Sequence, residues 1–344
     1  MMKKKLALAL ALVMSIGLLL PGCTSSDPGT GSGGGSGSQG ESSFSSDLTP
    51  KDGGTSLTFT TGGETGTYYG FGGVIAGKVS DLTSTSVKAI ASGGSDANIK
   101  NMQLGDAQIG FTQSDVMMYA YNGERTFESP VTDFSVVADL YMEQVQIVTL
   151  DPDIKTVADL KGKRVSIGAS GSGVFFNAVD ILGAYGLDVE KDITPTYQSF
   201  GDSTEALKDG QIDAAFVVAG APTTAVTDLA AGRDVYLVSL DQEHIDALIE
   251  ASPYYSQATI SKDVYNTAED ATTVAIGAVI IARDDVSEAD VYNFLFGTFE
   301  DIPNLSHGKA AELDLEFATS ITSIGYHPGA VAYFADKGIT VPSK

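Results

Sequence analysis

Twice in this chain a short apolar run ends in a loop with almost no large side chains and then opens a helix. Residues 57–61 lead into Gly62-Gly63-Glu64-Thr65-Gly66-Thr67-Tyr68-Tyr69, and residues 164–168 lead into Ala169-Ser170-Gly171-Ser172-Gly173-Val174-Phe175-Phe176. A second echo follows each of these in the same order. Leu104-Gly105-Asp106-Ala107-Gln108-Ile109-Gly110-Phe111 is matched by Leu207-Lys208-Asp209-Gly210-Gln211-Ile212-Asp213-Ala214. Two echoes in one order imply two units of like plan. Further strands are expected at 87–91, 108–112, 145–150, 196–200, 213–218, 235–239 and 274–282, with helix-period stretches such as Phe71, Val74, Ile75, Val79 and Leu82 between them. Such alternation predicts an α/β protein with largely parallel sheets. Ligands of open α/β sheets bind beyond the carboxyl ends of the strands. Two such units facing each other would make a cleft.

Composition removes several classes of function. The chain of 344 residues carries 20 basic and 44 acidic side chains, a net charge of −24, which opposes nucleic acid as a partner. With one cysteine, Cys23, there is no intrachain disulfide and no cysteine-based zinc cluster. His244, His307 and His327 are widely spaced in sequence, so a histidine-rich metal site is not expected. Neither glycine-rich loop is followed by Gly-Lys-Ser/Thr, and neither fits Gly-x-Gly-x-x-Gly, so nucleotide motifs fail. Gly168-Ala169-Ser170-Gly171-Ser172 misses the last position of an esterase elbow. No catalytic residue, metal or cofactor is expected.

The N-terminus reads as an address. Lys3, Lys4 and Lys5 precede an apolar stretch, residues 6–20, too short for a membrane span. It ends in Leu20-Pro21-Gly22-Cys23, which resembles a bacterial lipobox. The expectation is a signal peptide over 1–22, acylation of Cys23, and a Gly/Ser-rich tether over 23–56 that buries too little to fold. The folded part would sit outside the cytoplasm, anchored to the outer face of the cell membrane.

The loops after the strands supply the candidate binding residues. Glycine lets backbone approach a ligand, and free N–H groups at a helix start favour an anion. From the first loop these are Thr65, Gly66, Thr67 and Tyr68; from the matching loop, Ser170, Ser172 and Gly173. Either loop alone could instead serve only chain reversal. Other strand ends offer Ser92, Gln113, Ser114, Ala219 and Gly220. Ser114 or Asp115 could instead cap the following helix, whereas the Gln113 amide can donate and accept toward one amphoteric ligand. A ligand carboxylate is placed against the N–H groups of Gly66, Thr67 and Tyr68, or of Ser172 and Gly173. None of the four arginines stands in a motif loop.

These pieces form a longer ordered set. Gly62 to Tyr69 with Gly72-Gly73 is followed by Ser92-Gly93-Gly94-Ser95 with Asn98, Gln113-Ser114-Asp115, and Asp159-Leu160-Lys161-Gly162-Lys163-Arg164. Then come Ser170-Gly171-Ser172-Gly173, Asp209-Gly210-Gln211-Ile212-Asp213-Ala214, Ala219-Gly220-Ala221-Pro222 and His327-Pro328-Gly329-Ala330. The set resembles the TAXI family, the solute-binding proteins of tripartite ATP-independent periplasmic (TRAP) transporters. The resemblance implies a two-lobed periplasmic-binding-protein fold, type II-like and of the Venus-flytrap kind, with hinge strands and a ligand cleft between lobes. It implies 57–143 plus 284–344 as lobe 1 and 144–283 as lobe 2. It also implies a small anionic or zwitterionic solute, an organic acid or acidic amino acid such as glutamate, passed to TRAP membrane permease subunits by a monomer. Val174 departs from the family's usual threonine there. An enzyme using the same cleft, or a surface lipoprotein without a transport role, are the alternatives.

Overall fold

The computed structural model describes residues 47–344. Cys23, the signal peptide and most of the tether lie outside the described residues. In chain order the elements are β1 (Ser56–Thr60), α1 (Thr67–Leu82), β2 (Ser86–Ile90), α2 (Ser95–Leu104), β3 (Ile109–Gln113), α3 (Ser114–Asn122) and β4 (Phe134–Thr149). Then follow β5 (Arg164–Ser166), α4 (Gly173–Ala184), β6 (Thr194–Thr196), α5 (Phe200–Lys208), β7 (Ala214–Ala219), α6 (Thr224–Ala230), β8 (Tyr236–Leu237) and α7 (Gln242–Ala251). The chain closes with β9 (Ser256–Ile260), β10 (Ala271–Arg283), α8 (Glu288–Phe299), α9 (Leu315–Ala318) and α10 (Pro328–Asp336).

One sheet runs β2-β1-β3-β10-β4-β7-β5-β6, with β8 beside β4 and β9 beside β10. Its two ends have the same plan. In each, the first strand lies between the second and third, parallel to both, as β2-β1-β3 and as β6-β5-β7. In each, the third strand then meets a long antiparallel strand, β10 in the first module and β4 in the second. The two long strands pair antiparallel with each other, Arg283 opposite Phe134 at one end and Ala275 opposite Gln144 at the other. The sequence echoes fall at equivalent places, the first between β1 and α1 and between β5 and α4, the second between α2 and β3 and between α5 and β7. This is the two-lobed α/β architecture with hinge strands expected from the sequence, but the largely parallel sheets expected there are one mixed sheet, because both long strands run antiparallel to their neighbours.

Burial explains why β4 and β10 hold the centre. β10 is apolar almost throughout and buried nearly end to end, as a strand covered on both faces should be. One hydrophobic cluster takes β4 residues up to Tyr141 and β10 residues from Ala278, together with α1, α8 and α10. A second takes Val145 and Ile147 of β4, Val274 and Ile276 of β10, and α4 and α7. A third, around Val148, Val217 and Leu229, covers the other face of the second module.

Four expectations are corrected. The strand at 145–150 is only the second half of β4, which starts at Phe134; Asp139, Glu143 and Gln144 break its apolar pattern and hide it. The strand placed at 196–200 lies at Thr194–Thr196, because Ser199 accepts the Asp202 N–H and starts α5. β9 was not expected, since four of its five residues are not buried and its sequence, SQATI, is half polar. Finally, residues 51–56, read as tether, are fastened down. Lys51 exchanges two hydrogen bonds with the Asn293 side chain, at 2.7 and 2.9 Å. Thr55 gives its N–H and hydroxyl to Asp290, and Ser56 begins β1.

Candidate ligand pocket

A pocket of about 70 Å³ lies where strands of both modules end. That is room for a small molecule rather than a polymer. The β1–α1 loop contributes Gly62, Gly66, Thr67 and Tyr68, the β2–α2 loop Ser92 and Gly94, and β3 its last residue, Gln113. From the second module come Ala169, Ser172 and Gly173, then Gln198 to Phe200, then Val218 and Ala219 at the end of β7. Glu143 of β4 lines the pocket from the hinge.

The expected site residues divide accordingly. Gly66, Thr67, Tyr68, Ser92, Gln113, Ser172, Gly173 and Ala219 are in the wall. Thr65, Ser114, Ser170 and Gly220 stand just behind it. Thr65 offers its carbonyl to the Ala225 N–H at 3.1 Å, Gly220 accepts the Thr67 hydroxyl at 2.8 Å, and Ser114 Oγ accepts the Gly277 N–H at 3.3 Å. The Ser170 carbonyl faces Gly93. Asp115 is not the cap of α3, whose N-cap is Gln113; its Oδ1 takes the Val116 N–H at 2.6 Å and its Oδ2 the Asn177 amide at 3.1 Å.

Five helices begin at this pocket; α5 is capped by the Ser199 side chain, and the other four have no side-chain cap. The N-cap residues of α1, α2, α3 and α4 are Gly66, Gly94, Gln113 and Ser172. Ser172 has a hydroxyl suited to capping but gives it to the Ala169 carbonyl at 2.7 Å. First-turn N–H groups have no backbone acceptor in their own helix. Val116 of α3 gives its N–H to Asp115 Oδ1 and Ala97 of α2 to the Gly171 carbonyl, so the amides left for a ligand or water are chiefly those of α1 and α4. Two of the amides named from sequence are already used: Gly66 N–H donates to Gly63 at 2.9 Å and Ser172 N–H to Ala169 at 3.1 Å. The donors therefore narrow to Thr67 and Tyr68 on α1 and to Gly173 and Val174 on α4.

Both modules touch over the pocket. Ala97 N–H donates to the Gly171 carbonyl at 3.0 Å, and Gln113 Nε2 donates to Asn177 Oδ1 at 3.1 Å. The approach is close enough to require glycine twice. Gly94 has φ 110°, and an added Cβ would stand 3.3 Å from Ser172 Cα. A Cβ on Gly173 would stand 1.7 Å from Gln113 Oε1.

The electrostatics centre on Glu143, which the sequence reading missed. It is 2% exposed and accepts the Tyr68 hydroxyl on Oε2 at 2.9 Å. Tyr68 is itself held by stacking on Phe111, centroids 4.4 Å apart. Burial pushes the Glu143 carboxyl well above the usual carboxylate range, against the hydrogen bond from Tyr68. Burial likewise raises Asp115 to about 7 and Asp139 to about 8. The signal for Glu143 was available: an acid inside an otherwise apolar strand must have a partner or a purpose. No arginine lines the pocket. Arg125 pairs with Asp180 at 2.7 Å, Arg164 with Asp213 at 2.6 Å and Arg283 with Asp285 at 2.5 Å. Arg233 reaches only the Lys208 carbonyl, at 3.5 Å. His327 caps α10, His307 caps a 3₁₀ turn, and His244 pairs with Asp241 on α7. Among the described residues no three metal-ligating side chains cluster, and no helix is long and apolar enough to cross a membrane.

Solved structures similar to this chain include a protein of Bordetella bronchiseptica RB50, 16% identical, with 75% of this chain and 76% of that one covered and a TM-score of 0.49. The periplasmic aliphatic sulphonate binding protein of Escherichia coli is 18% identical, with 66% and 61% covered and a TM-score of 0.40. The ligand-binding component of an ABC-type import system from Staphylococcus aureus is 10% identical, with 84% and 94% covered and a TM-score of 0.49. The reading of the fold rests on the strand order itself. A family profile matches from Phe59 in β1 to Gly338 just beyond α10, residues 59–338, and the chain thus belongs to the NMT1-like family.

Proposed function

We propose that this protein is an extracytoplasmic solute-binding lipoprotein of a TRAP transporter of the TAXI type. It captures a small organic acid or amino acid and delivers it to the membrane permease, held near the membrane by an acylated Cys23. The observation that carries the solute-binding part is the pocket: four helix starts without side-chain caps meet around one cavity, at strand ends contributed by both modules. The ordered motifs from Gly62 to Ala330 support the TAXI assignment. We place the lobe division where the hydrophobic clusters change, between Tyr141 and Val145 on β4 and between Ile276 and Ala278 on β10.

A ligand bound only by the folded state stabilises it. A thermal-shift screen of small carboxylates and amino acids should therefore raise the melting temperature for at least one, and calorimetry should show one site. Gln113→Ala should weaken that binding by about 1–3 kcal/mol, while substituting any one of Arg125, Arg164, Arg233 and Arg283 should change it little. Loss of binding in an arginine variant with Gln113→Ala unaffected would put the ligand elsewhere.

A further inference from the structure

Apart from the Tyr68 phenol, Glu143 is the one ionisable side chain in the pocket wall, and no lysine, arginine or histidine joins it there. Next to it stands a second acceptor. Gln113 is 2% exposed, and its Oε1 has no hydrogen-bond partner, because its Nε2 is spent on Asn177. The Asn177 amide fixes that orientation, since its own nitrogen donates to Asp115 at 3.1 Å and to the Tyr255 hydroxyl at 2.9 Å. Part of the wall is thus acceptor, with one carboxyl and one orphaned amide oxygen. Another part is donor, the first-turn amides of α1 and α4.

An anion without a donor of its own would satisfy the amides and leave Gln113 Oε1 unmatched. A buried unpaired acceptor costs stability. A molecule carrying both an ammonium and a carboxylate satisfies both parts of the wall. The other titratable groups acting on Glu143 do not replace such a cation: Tyr68 from α1 hydrogen-bonds it, while Asp115 from α3 and Asp139 from β4 only repel charge on it. Burial opposes charge on this carboxyl, and an arriving ammonium would favour its ionised form.

On the solute-binding reading above, we infer that Glu143, with Gln113 Oε1, makes the pocket selective for a solute that carries a protonated amine. Glu143 is then a specificity-determining residue of the pocket, and an amino acid is preferred to the same molecule without its amine.

The test is calorimetry on the full chain with matched pairs: L-glutamate and glutarate, L-leucine and 4-methylpentanoate, L-alanine and propionate. In each pair that binds, the amine-bearing member should be at least about tenfold tighter. In Glu143→Gln, which keeps the shape and removes the charge, the ratio should fall to within about threefold. An amine-free member that binds wild type as tightly as its twin overturns the inference while leaving solute binding intact. A preference that survives unchanged in Glu143→Gln overturns it too. If no member of any pair binds, the inference and the carboxylate-binding reading fall together. The wild-type ratios decide the question even where the variant does not fold.

Discussion

The starts of α1 and α8 are opposite solutions to one problem. Every helix begins with N–H groups that its own turns cannot satisfy. At α8 a side chain meets one of them, and the first turn is tied down by further hydrogen bonds. Ser287 Oγ accepts the Asp290 N–H at 3.1 Å, and the Asp290 carboxylate draws in the hydroxyls of Ser287, Thr55 and Thr85 and the Thr55 N–H, all within 2.8 Å. At α1 the cap is Gly66, which has no side chain to offer, and Glu64 and Lys78 are too far along the chain to sit in the first turn. α5, α7, α9 and α10 follow α8, with Ser199, Asp241, Asp314 and His327 as caps, although Ser199 of α5 also lies in the pocket wall. α2, α3 and α4 follow α1. α6 is uncapped too, although it is not in the wall; the Thr223 hydroxyl turns instead to the Gly220 carbonyl at 3.0 Å. A cap contributes about 1 kcal/mol. Omitting it at four helix starts around one cavity trades stability for binding capacity, and the two kinds of helix start should answer to different measurements.

The sharpest break in that contrast comes from removing the segment that serves α8. A chain beginning at Leu57 loses Thr55 from Asp290 and Lys51 from Asn293, side chains that are 1% and 0% exposed. Leaving such buried groups short of partners should cost on the order of 3 kcal/mol, measured by urea unfolding against a chain beginning at Asp47. Ligand affinity extrapolated to the folded state should be equal in the two. Equal stability would mean that the far helix starts are not the stabilising ones.

At the pocket the effect should reverse. Gly173→Ala places a methyl where Gln113 Oε1 stands, so Gln113 must leave Asn177 for the modules to meet as they do here. Affinity should fall about tenfold, with one hydrogen bond and a close fit lost, while the melting temperature without ligand changes little. If stability drops and affinity holds, Gly173 serves packing rather than the site.

The same contrast explains what the sequence could disclose. The modules were readable because their strands are short apolar runs with glycine-marked turns, and because the echoes repeat in order. β4 was half hidden because Asp139, Glu143 and Gln144 interrupt its pattern, and Glu143 is the residue that turns this strand toward the pocket. Gln198, Ser199 and Phe200 escaped notice because they follow β6, whose three residues include Pro195 and give little periodicity. Thr65, Ser114, Ser170 and Gly220 have the right chemistry in the right loops. Which residue of a loop faces the cavity depends on backbone turns, such as Gly168 and Gly171 at φ 89° and 80°, that residue type alone does not specify.

The smallest effect should come from Asp241 at the start of α7, far from the cavity. Its Oδ1 takes the His244 N–H at 3.2 Å and lies 2.8 Å from the His244 ring nitrogen, and its Oδ2 takes the Tyr185 hydroxyl at 2.8 Å. The bond to the His244 ring is the main reason that its carboxyl is held down to about 2, from an ordinary 3.8. A carboxyl lowered in this way adds stability that is present above pH 3.8 and fades as the pH falls toward 2. The group is largely exposed, so water screens the gain to less than about 1 kcal/mol. Asp241→Asn keeps an oxygen to cap the helix and removes the charge. It should unfold slightly more easily than wild type at pH 6, and the gap should close below pH 2. Its affinity for any ligand of the pocket should match wild type at pH 6. A variant whose affinity falls along with its stability would tie the far helix starts to the pocket and dissolve the distinction between the two kinds.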